Sequence, residues 1–318
     1  MTYRVIAVDP SWKNPDRQKF LSENLAEGYE LYVPEVFEGD TFYKELESAS
    51  ALVTGLAGIT AEMMKAAPNL RVVGKAGTGV DSIDVGAATA MKIPVAHAPG
   101  WMRATPVAEH ALTMMMLLAR KPWLWRGEKR PPLHVQLSEC SVGIVGLGNI
   151  GQGIAKRCAG FEMEVLAFTR TQGKFKPEGF SVEEVSSLDE MLPRVDFVVL
   201  SLPLNANTEG IIGEKELALM KPSAFLVNIS RGGHVVTGAL VSALEKGEIA
   251  GAGLDVVDLD PDSENHPIMK FENVAISPHC AAQTLNTQTI SYALLAESIR
   301  LAVEGEQVEA LVNPEIYD

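Results

Sequence analysis

Val142-Gly143-Ile144-Val145-Gly146-Leu147-Gly148-Asn149-Ile150-Gly151 is an apolar run that meets three glycines spaced G-x-G-x-x-G. Val142–Val145 reads as a buried strand, and Ile150–Ala159, with apolar residues at helical spacing, reads as a helix. A glycine triplet between a strand and a helix has a specific use. The first glycine permits the tight turn, the second lets the backbone approach a pyrophosphate, and the third allows close helix–strand packing. The helix start adds free N–H groups and a partial positive charge, which suit phosphate. The stretch therefore predicts a dinucleotide-binding turn in a parallel α/β sheet, built by Gly146, Leu147, Gly148, Asn149, Ile150 and Gly151.

One element further on, the predicted strand Glu164–Phe168 ends in Thr169-Arg170-Thr171. Sites that take NAD usually hold Asp or Glu here, about 20 residues past the glycines, to accept from the ribose hydroxyls. An acid repels a 2′-phosphate. A threonine and a guanidinium bind one, and Lys174 follows closely. NADPH is the expected cofactor, with NAD as the lesser alternative.

The same alternation of strand and helix extends both ways. Upstream, Val5–Val8, Glu30–Val33, Ala51–Thr54, Arg71–Gly74 and Val95–His97 read as strands, separated by helical patterns at Gln18–Leu25, Phe42–Glu47, Ala61–Ala67 and Ile83–Met91. Downstream, Asp196–Leu200, Phe225–Asn228, Gly251–Asp255 and Val274–Ser277 read as strands, with helices at Leu188–Leu192, Glu214–Met220 and Thr237–Glu245. Near-continuous apolar strands separated by helices imply parallel sheets covered on both faces. Between the two series lie a helix from Thr105 to Leu118, with Pro106 suited to its first turn, and a Trp-, Arg- and Pro-rich connection, Lys121–Pro132. A length of 318 residues suits two such domains. The fold class is α/β, with two doubly wound parallel-sheet domains. A last helix, Thr284–Val303, is expected to return to the first domain, although periodicity alone does not show it. The expected division is a dinucleotide-binding domain over 99–284 and a discontinuous substrate-binding domain over 1–98 and 285–318.

A net charge of −14 argues against non-specific binding to nucleic acid or anionic membranes, but not against a small anionic substrate. The cysteines, Cys140, Cys158 and Cys280, form no CxxC pair, so neither a zinc knuckle nor a disulfide framework is suggested. Cys140 and Cys158 read as small core residues. His97 and His110 lack a paired acidic ligand pattern, and no metal is expected. His134, His234 and His266 fall in loop-like stretches and read as surface residues, while Met114–Met116 reads as core or dimer packing. Trp123 and Trp125 suit a domain connection or a subunit contact. The N-terminus has no basic region before a signal-like apolar run, and no apolar stretch spans a bilayer, so a cytoplasmic protein is expected.

Three polar segments each follow the carboxyl end of a predicted strand, where doubly wound sheets place ligands. They are Arg231-Gly-Gly233 after Phe225–Ser230, Asp260-Pro261 after the strand that ends in Leu254-Asp255-Val256-Val257, and Pro278-His279 after Val274–Ser277. Together with Gly74-Lys-Ala-Gly-Thr-Gly79, Val80-Asp81, Val107-Ala-Glu109, Leu202-Pro203-Leu204, Asn228-Ile-Ser-Arg-Gly-Gly233, Leu254-Asp-Val256 and Ser277-Pro-His279, the glycine turn makes an ordered series covering most of the chain. In this the chain resembles the D-2-hydroxyacid dehydrogenase family, which includes glyoxylate/hydroxypyruvate reductases and phosphoglycerate dehydrogenases.

The resemblance implies a Rossmann cofactor domain, a flavodoxin-like substrate domain, an active site between them and a homodimer. It implies that a small 2-oxo acid is reduced to the D-2-hydroxy acid. Arg231 would hold the substrate's carboxylate and carbonyl, His279 would be the acid/base, and an acid would keep His279 protonated. The family's acid is normally Glu; its place here is Asp260, one methylene shorter, with Asp258 and Asp262 as competitors. The cofactor would also contact Leu202, Pro203, Thr208, Ile229, Ser230, Arg231, Asp255 and His279, with Asp255 accepting from the nicotinamide carboxamide. The substrate would meet Lys75, Ala76, Gly77, Thr78, Gly79 and Arg103 besides Arg231 and His279, and Trp101 and Met102 border the same segment. Two rivals stand beside this reading. One is a dinucleotide-responsive binding protein on the same fold, like the family's corepressors, against which Arg231 and His279 weigh. The other is a D-3-phosphoglycerate dehydrogenase with feedback control, for whose regulatory domain the end of the chain at Asp318 would leave no room.

Overall fold

The computed structural model describes residues 2–55, 57–122, 133–257 and 266–318. The chain divides into two compact units, Met1–Met102 with Thr284–Asp318, and Arg103–Gln283.

The first unit is built on five parallel strands, β1 (Tyr3–Ala7), β2 (Tyr29–Tyr32), β3 (Ala49–Thr54), β4 (Val72–Lys75) and β5 (Val95–His97), in the order β2-β1-β3-β4-β5. This is the doubly wound order of flavodoxin-like sheets. Alternate side chains leave each strand on opposite faces, and here both faces are buried. Val5 and Ala7 join Trp12, Leu21, Val53 and Ile299 in one core; Ile6 and Val8 join Phe42, Leu46, Leu52 and Met64 in the other. Helices α1 (Pro15–Ser22) and α10 (Leu285–Glu304) supply the first core, and α2 (Gly39–Leu46), α3 (Ala61–Lys65) and α4 (Val85–Ala90) the second. Helix α10 starts on Thr284, whose Oγ1 accepts from the Thr287 N–H, and stops at Gly305 with φ +81°.

The second unit opens within the long helix α5 (Gly100–Arg120). Seven parallel strands follow: β6 (Ser141–Val145), β7 (Glu164–Phe168), β8 (Glu183–Val185), β9 (Phe197–Leu200), β10 (Phe225–Asn228), β11 (Gly251–Leu254) and β12 (Val274–Ile276). Their order is β12-β11-β10-β9-β6-β7-β8, so the chain reverses direction across the sheet beside β6. That is the dinucleotide-fold order, extended by one strand. Again the strands split their side chains. Val142, Ile144, Phe197 and Val199 pack with α5 and α6 (Asn149–Gly160); Val145, Val198, Leu200 and Leu226 pack with α7 (Leu188–Met191), α8 (Glu214–Leu219) and α9 (Thr237–Lys246).

Several expectations need correction. Strand β8 escapes the sequence reading because Glu183-Glu-Val185 carries little apolar signal. Pro106 lies inside α5 rather than in its first turn. The helix begins at Gly100, with the Met102 N–H donating to the Pro99 carbonyl at 3.1 Å, and proline cannot give the Met102 carbonyl its helical donor. His234 and His266 are buried, not surface residues. His266 accepts from the Ile268 N–H at 3.1 Å and so starts the turn Pro267–Lys270. Cys158 is in the core, whereas Cys140 is only half-buried at its margin. The connection containing Trp123 and Trp125 lies outside the described residues. Among the described residues no helix is long and apolar enough to cross a membrane.

Candidate active site

Strand β6 runs into Gly146, whose φ of +98° only glycine adopts readily. A Cβ at Gly151 would collide with the Gly146 carbonyl oxygen, so the turn and helix α6 are packed backbone to backbone. Gly148 differs. It is the N-cap of α6 without a side-chain cap, and a Cβ there would meet no protein atom within 4 Å. The first helical bond is Gln152 N–H to the Gly148 carbonyl at 2.9 Å, leaving the N–H groups of Asn149, Ile150 and Gly151 without helical acceptors. An open face over uncapped N–H groups fits a pyrophosphate. The end of β9 braces the turn: Ser201 Oγ donates to the Gly146 carbonyl at 2.7 Å, and Leu202 sits against Gly146. Thr208 Oγ1 donates to the Pro203 carbonyl at 2.7 Å and accepts from the Asn205 N–H at 2.9 Å, which fixes the loop that follows.

Thr169, Arg170 and Thr171 leave the carboxyl end of β7, and Arg170 and Thr171 are exposed. Their loop is tied down behind them. Gln172 Nε2 donates to the Val185 carbonyl at 2.9 Å, and the Gly173 N–H donates to Glu184 at 2.7 Å. An acid therefore stands near this loop, supplied by β8, and it is engaged with the backbone.

Past β10, the Asn228 side chain, 1% exposed, organises the next turn. Its Oδ1 accepts from the N–H and Oγ of Ser230, and its Nδ2 donates to the Arg231 carbonyl at 2.8 Å. His234 fills the space beneath, its Nδ1 donating to the same carbonyl at 3.1 Å. Arg231 itself is half-buried and donates through Nη1 to the Ser230 carbonyl at 2.8 Å.

Asp255 follows β11. Its N–H donates to the Asn228 carbonyl at 2.9 Å, and its carbonyl accepts from the His279 N–H at 2.8 Å. The carboxylate is buried, yet it holds well under the ordinary carboxylate range. Burial raises its pKa, but the adjoining His110 side chain and hydrogen bonds from Ser277, Cys280 and Ala281 outweigh that. Oδ1 accepts from Ser277 Oγ at 2.5 Å and the Cys280 N–H at 2.9 Å; Oδ2 accepts from the Ala281 N–H at 3.0 Å. This carboxylate thus closes the turn around His279, a task that sequence reasoning did not assign to it. His279 stands at φ +52°, left-handed for a residue with a Cβ. His110, set aside in the sequence, lies 3.4 Å from Asp255 Oδ1 and 2.8 Å from Ser277 Oγ. No local signal links positions so far apart in the chain. Asp260, with Asp258 and Asp262, lies outside the described residues.

In the first unit, the loop Lys75–Gly79 follows β4. Its Gly77 carbonyl accepts from the Ala98 N–H and its Thr78 carbonyl from His97 Nδ1, both at 3.1 Å, while Lys75 Nζ reaches Ser82 Oγ at 3.4 Å. Arg103 lies on α5.

Residues 107–281 match the family described as D-isomer specific 2-hydroxyacid dehydrogenase, NAD binding domain. A glyoxylate reductase from Pyrococcus furiosus is 37% identical over 288 residues, covering 86% of this chain and 85% of that one. A D-3-phosphoglycerate dehydrogenase from Archaeoglobus fulgidus is 35% identical over 90% of this chain, which spans only 55% of that relative's length. Among solved structures, an NADPH-dependent glyoxylate/hydroxypyruvate reductase from Sinorhizobium meliloti, in complex with NADP and malonate, superposes with a TM-score of 0.83 at 27% identity, covering 99% of this chain and 98% of that one. With the dinucleotide-type sheet, its glycine turn and a matched domain that takes in most of the second unit, the chain belongs to the D-isomer specific 2-hydroxyacid dehydrogenase family.

Proposed function

We propose that this chain reduces a short 2-oxo acid of the glyoxylate or hydroxypyruvate class to the D-2-hydroxy acid, using NADPH. The observation that carries the reading is the pair Arg231 and His279 on turns past the carboxyl ends of β10 and β12, locked through Asn228 and Asp255 to the strand between them. When bound, the nicotinamide supplies a hydride to the carbonyl carbon. Arg231 pairs its guanidinium with the substrate's planar carboxylate and orients the carbonyl. His279, protonated beforehand, gives its proton to the carbonyl oxygen and is reprotonated from solvent. Asp260 is assigned as the acid that favours the imidazolium, Asp255 as acceptor for the carboxamide through the remaining lone pair of Oδ2, and Lys75–Gly79 and Arg103 as contacts to the substrate acid.

Support for NADPH comes from Thr169-Arg170 at the end of β7, where an acid is missing and a guanidinium is free to meet a 2′-phosphate. The NADPH dependence of the Sinorhizobium enzyme points the same way. The test is kcat/KM for glyoxylate, hydroxypyruvate, 3-phosphohydroxypyruvate and pyruvate with NADPH and with NADH. Turnover of the short unphosphorylated acids with NADPH is the expected result. A higher kcat/KM with NADH sinks the cofactor assignment, preference for the phosphorylated acid moves the substrate to the phosphoglycerate class, and tight NADPH binding without turnover of any acid favours a binding protein.

A further inference from the structure

His110 has no part in the reaction as assigned, yet it touches the turn that presents His279. Its side chain, 18% exposed, comes from α5 and meets the ends of β11 and β12. Ser277 Oγ donates its proton to Asp255 Oδ1 at 2.5 Å, so the oxygen's lone pair is what faces His110 Nε2 at 2.8 Å. Nε2 therefore carries a proton and donates. Asp255 passes the chain on. Its two carboxylate oxygens take the N–H groups of Cys280 and Ala281, and its carbonyl takes that of His279. These bonds hold both sides of a residue at φ +52°, a conformation that persists only where the surroundings impose it.

The donor atoms of His110, Asp255 and Cys280 also lie within 4.8 Å of one another, within reach of a single cation. Oδ1, the oxygen that faces His110, nonetheless already has both lone pairs taken by Ser277 Oγ–H and the Cys280 N–H. The Cys280 thiol is pushed up by burial and by the Asp255 charge, which disfavours the thiolate a metal needs. The cluster is built for hydrogen bonding.

We infer that His110 is a positioning residue for the reduction: through Ser277 and Asp255, its Nε2–H holds the left-handed turn that aims the His279 imidazole. This rests on the reading of His279 as proton donor. The experiment compares His110→Ala, His110→Gln, Ser277→Ala and the His110→Ala/Ser277→Ala double variant in the whole enzyme. It reads kcat and KM for glyoxylate with NADPH, and the Cε1–H resonance of His279 in the dinucleotide-free protein, identified by its loss in His279→Gln. The resonance reports the imidazole's surroundings whether or not glyoxylate is turned over. His110→Ala should lower kcat by roughly 10- to 100-fold and shift the His279 resonance. Gln keeps an N–H near the place of Nε2 and should recover most of the rate and the parental resonance. The double variant should be no slower than Ser277→Ala, since both changes break one chain of bonds. His110→Leu, which keeps bulk but no donor, takes the place of alanine if alanine unfolds the protein. Parental kcat and resonance in the donor-less variants, failure of Gln to rescue, or losses that multiply in the double variant overturn the inference. If His279→Gln reduces glyoxylate at the parental rate, the proton-donor reading fails instead; if it is inactive while His110→Leu is parental, only the positioning role falls.

Discussion

Asn228 commits its whole amide to the turn that carries Arg231, accepting from Ser230 and donating to the Arg231 carbonyl. The guanidinium is thereby delivered on a fixed backbone, and its own chemistry should be separable from folding. Arg231→Ala should raise KM and lower kcat for the oxo acid, and Arg231→Lys should restore little, because a point charge lacks the fork that fits a carboxylate. His279→Ala should chiefly lower kcat, by roughly 10²–10⁴ if it gives the proton in the transition state. NADPH titration should still show binding in all three variants, because the phosphate site lies on the Gly146–Gly151 turn; parental turnover in both alanine variants would disprove the assignment. Asp255 makes a prediction about stability. Its pKa in the fold lies below the ordinary aspartate value of 3.8, so its contribution is complete above that value and is lost as pH falls through the lower folded pKa. The unfolding free energy of the parent should drop as pH is lowered below about 4, and in Asp255→Asn that drop should be shallower. Equal acid limbs in denaturant titrations would show that the carboxylate does not contribute this way.

At the scale of elements, the strand–turn–helix of β6 and α6 holds glycines for two different reasons. Gly151 is required by the fold itself, because a Cβ there meets the Gly146 carbonyl; Gly148 faces open space. Gly151→Ala should therefore lower the melting temperature, whereas Gly148→Ala should fold like the parent and bind NADPH more weakly by about tenfold or more, the methyl standing where a pyrophosphate must approach. Equal affinity in Gly148→Ala would remove the phosphate from this turn. On the proposed reading, the neighbouring loop after β7 is what sets the choice between the two nicotinamides. Arg170→Asp should cut kcat/KM for NADPH far more than for NADH, since a carboxylate repels the 2′-phosphate and accepts from ribose hydroxyls. The loop is anchored by Gln172 and by the Gly173 N–H on Glu184, so the substitution should leave its path unchanged.

Over the whole molecule, each unit closes its own pair of cores, and the first cannot do so from residues before α5 alone. Helix α10 brings Tyr292, Leu295 and Ile299 onto the face of β1, β3 and β4 already lined by Val5, Val53 and Val72. Ile299 is fully buried. Ile299→Ala should destabilise the first unit by about 2–5 kcal/mol, through lost transfer and the cavity left behind. Because the glycine turn belongs to the second unit, NADPH affinity in this variant should stay at the parental value. A loss of affinity matching the loss of stability would show that the two units do not keep these properties apart.

Much of this protein was legible along the chain. The spacing of Gly146, Gly148 and Gly151 between a strand and a helix, and the repeated apolar runs, depend on local sterics and on burial at period two or 3.6, which a linear sequence records directly. The placement of Arg231 and His279 past strand ends was legible because a parallel sheet must bring the carboxyl ends of its strands to one edge. Strand β8 was not, since its pairing with β7 is dictated by the neighbour and not by Glu183-Glu-Val185. Pro106 misplaced the start of α5, and His234 and His266 read as surface residues, because burial is set by what packs above a loop. Only the tertiary structure decided that Asp255 closes the His279 turn and that His110, from a helix early in the second unit, reaches it through Ser277. Hydrogen bonds between side chains distant in sequence leave no periodicity; they exist only once three separate elements have been packed to within about 3 Å of one another.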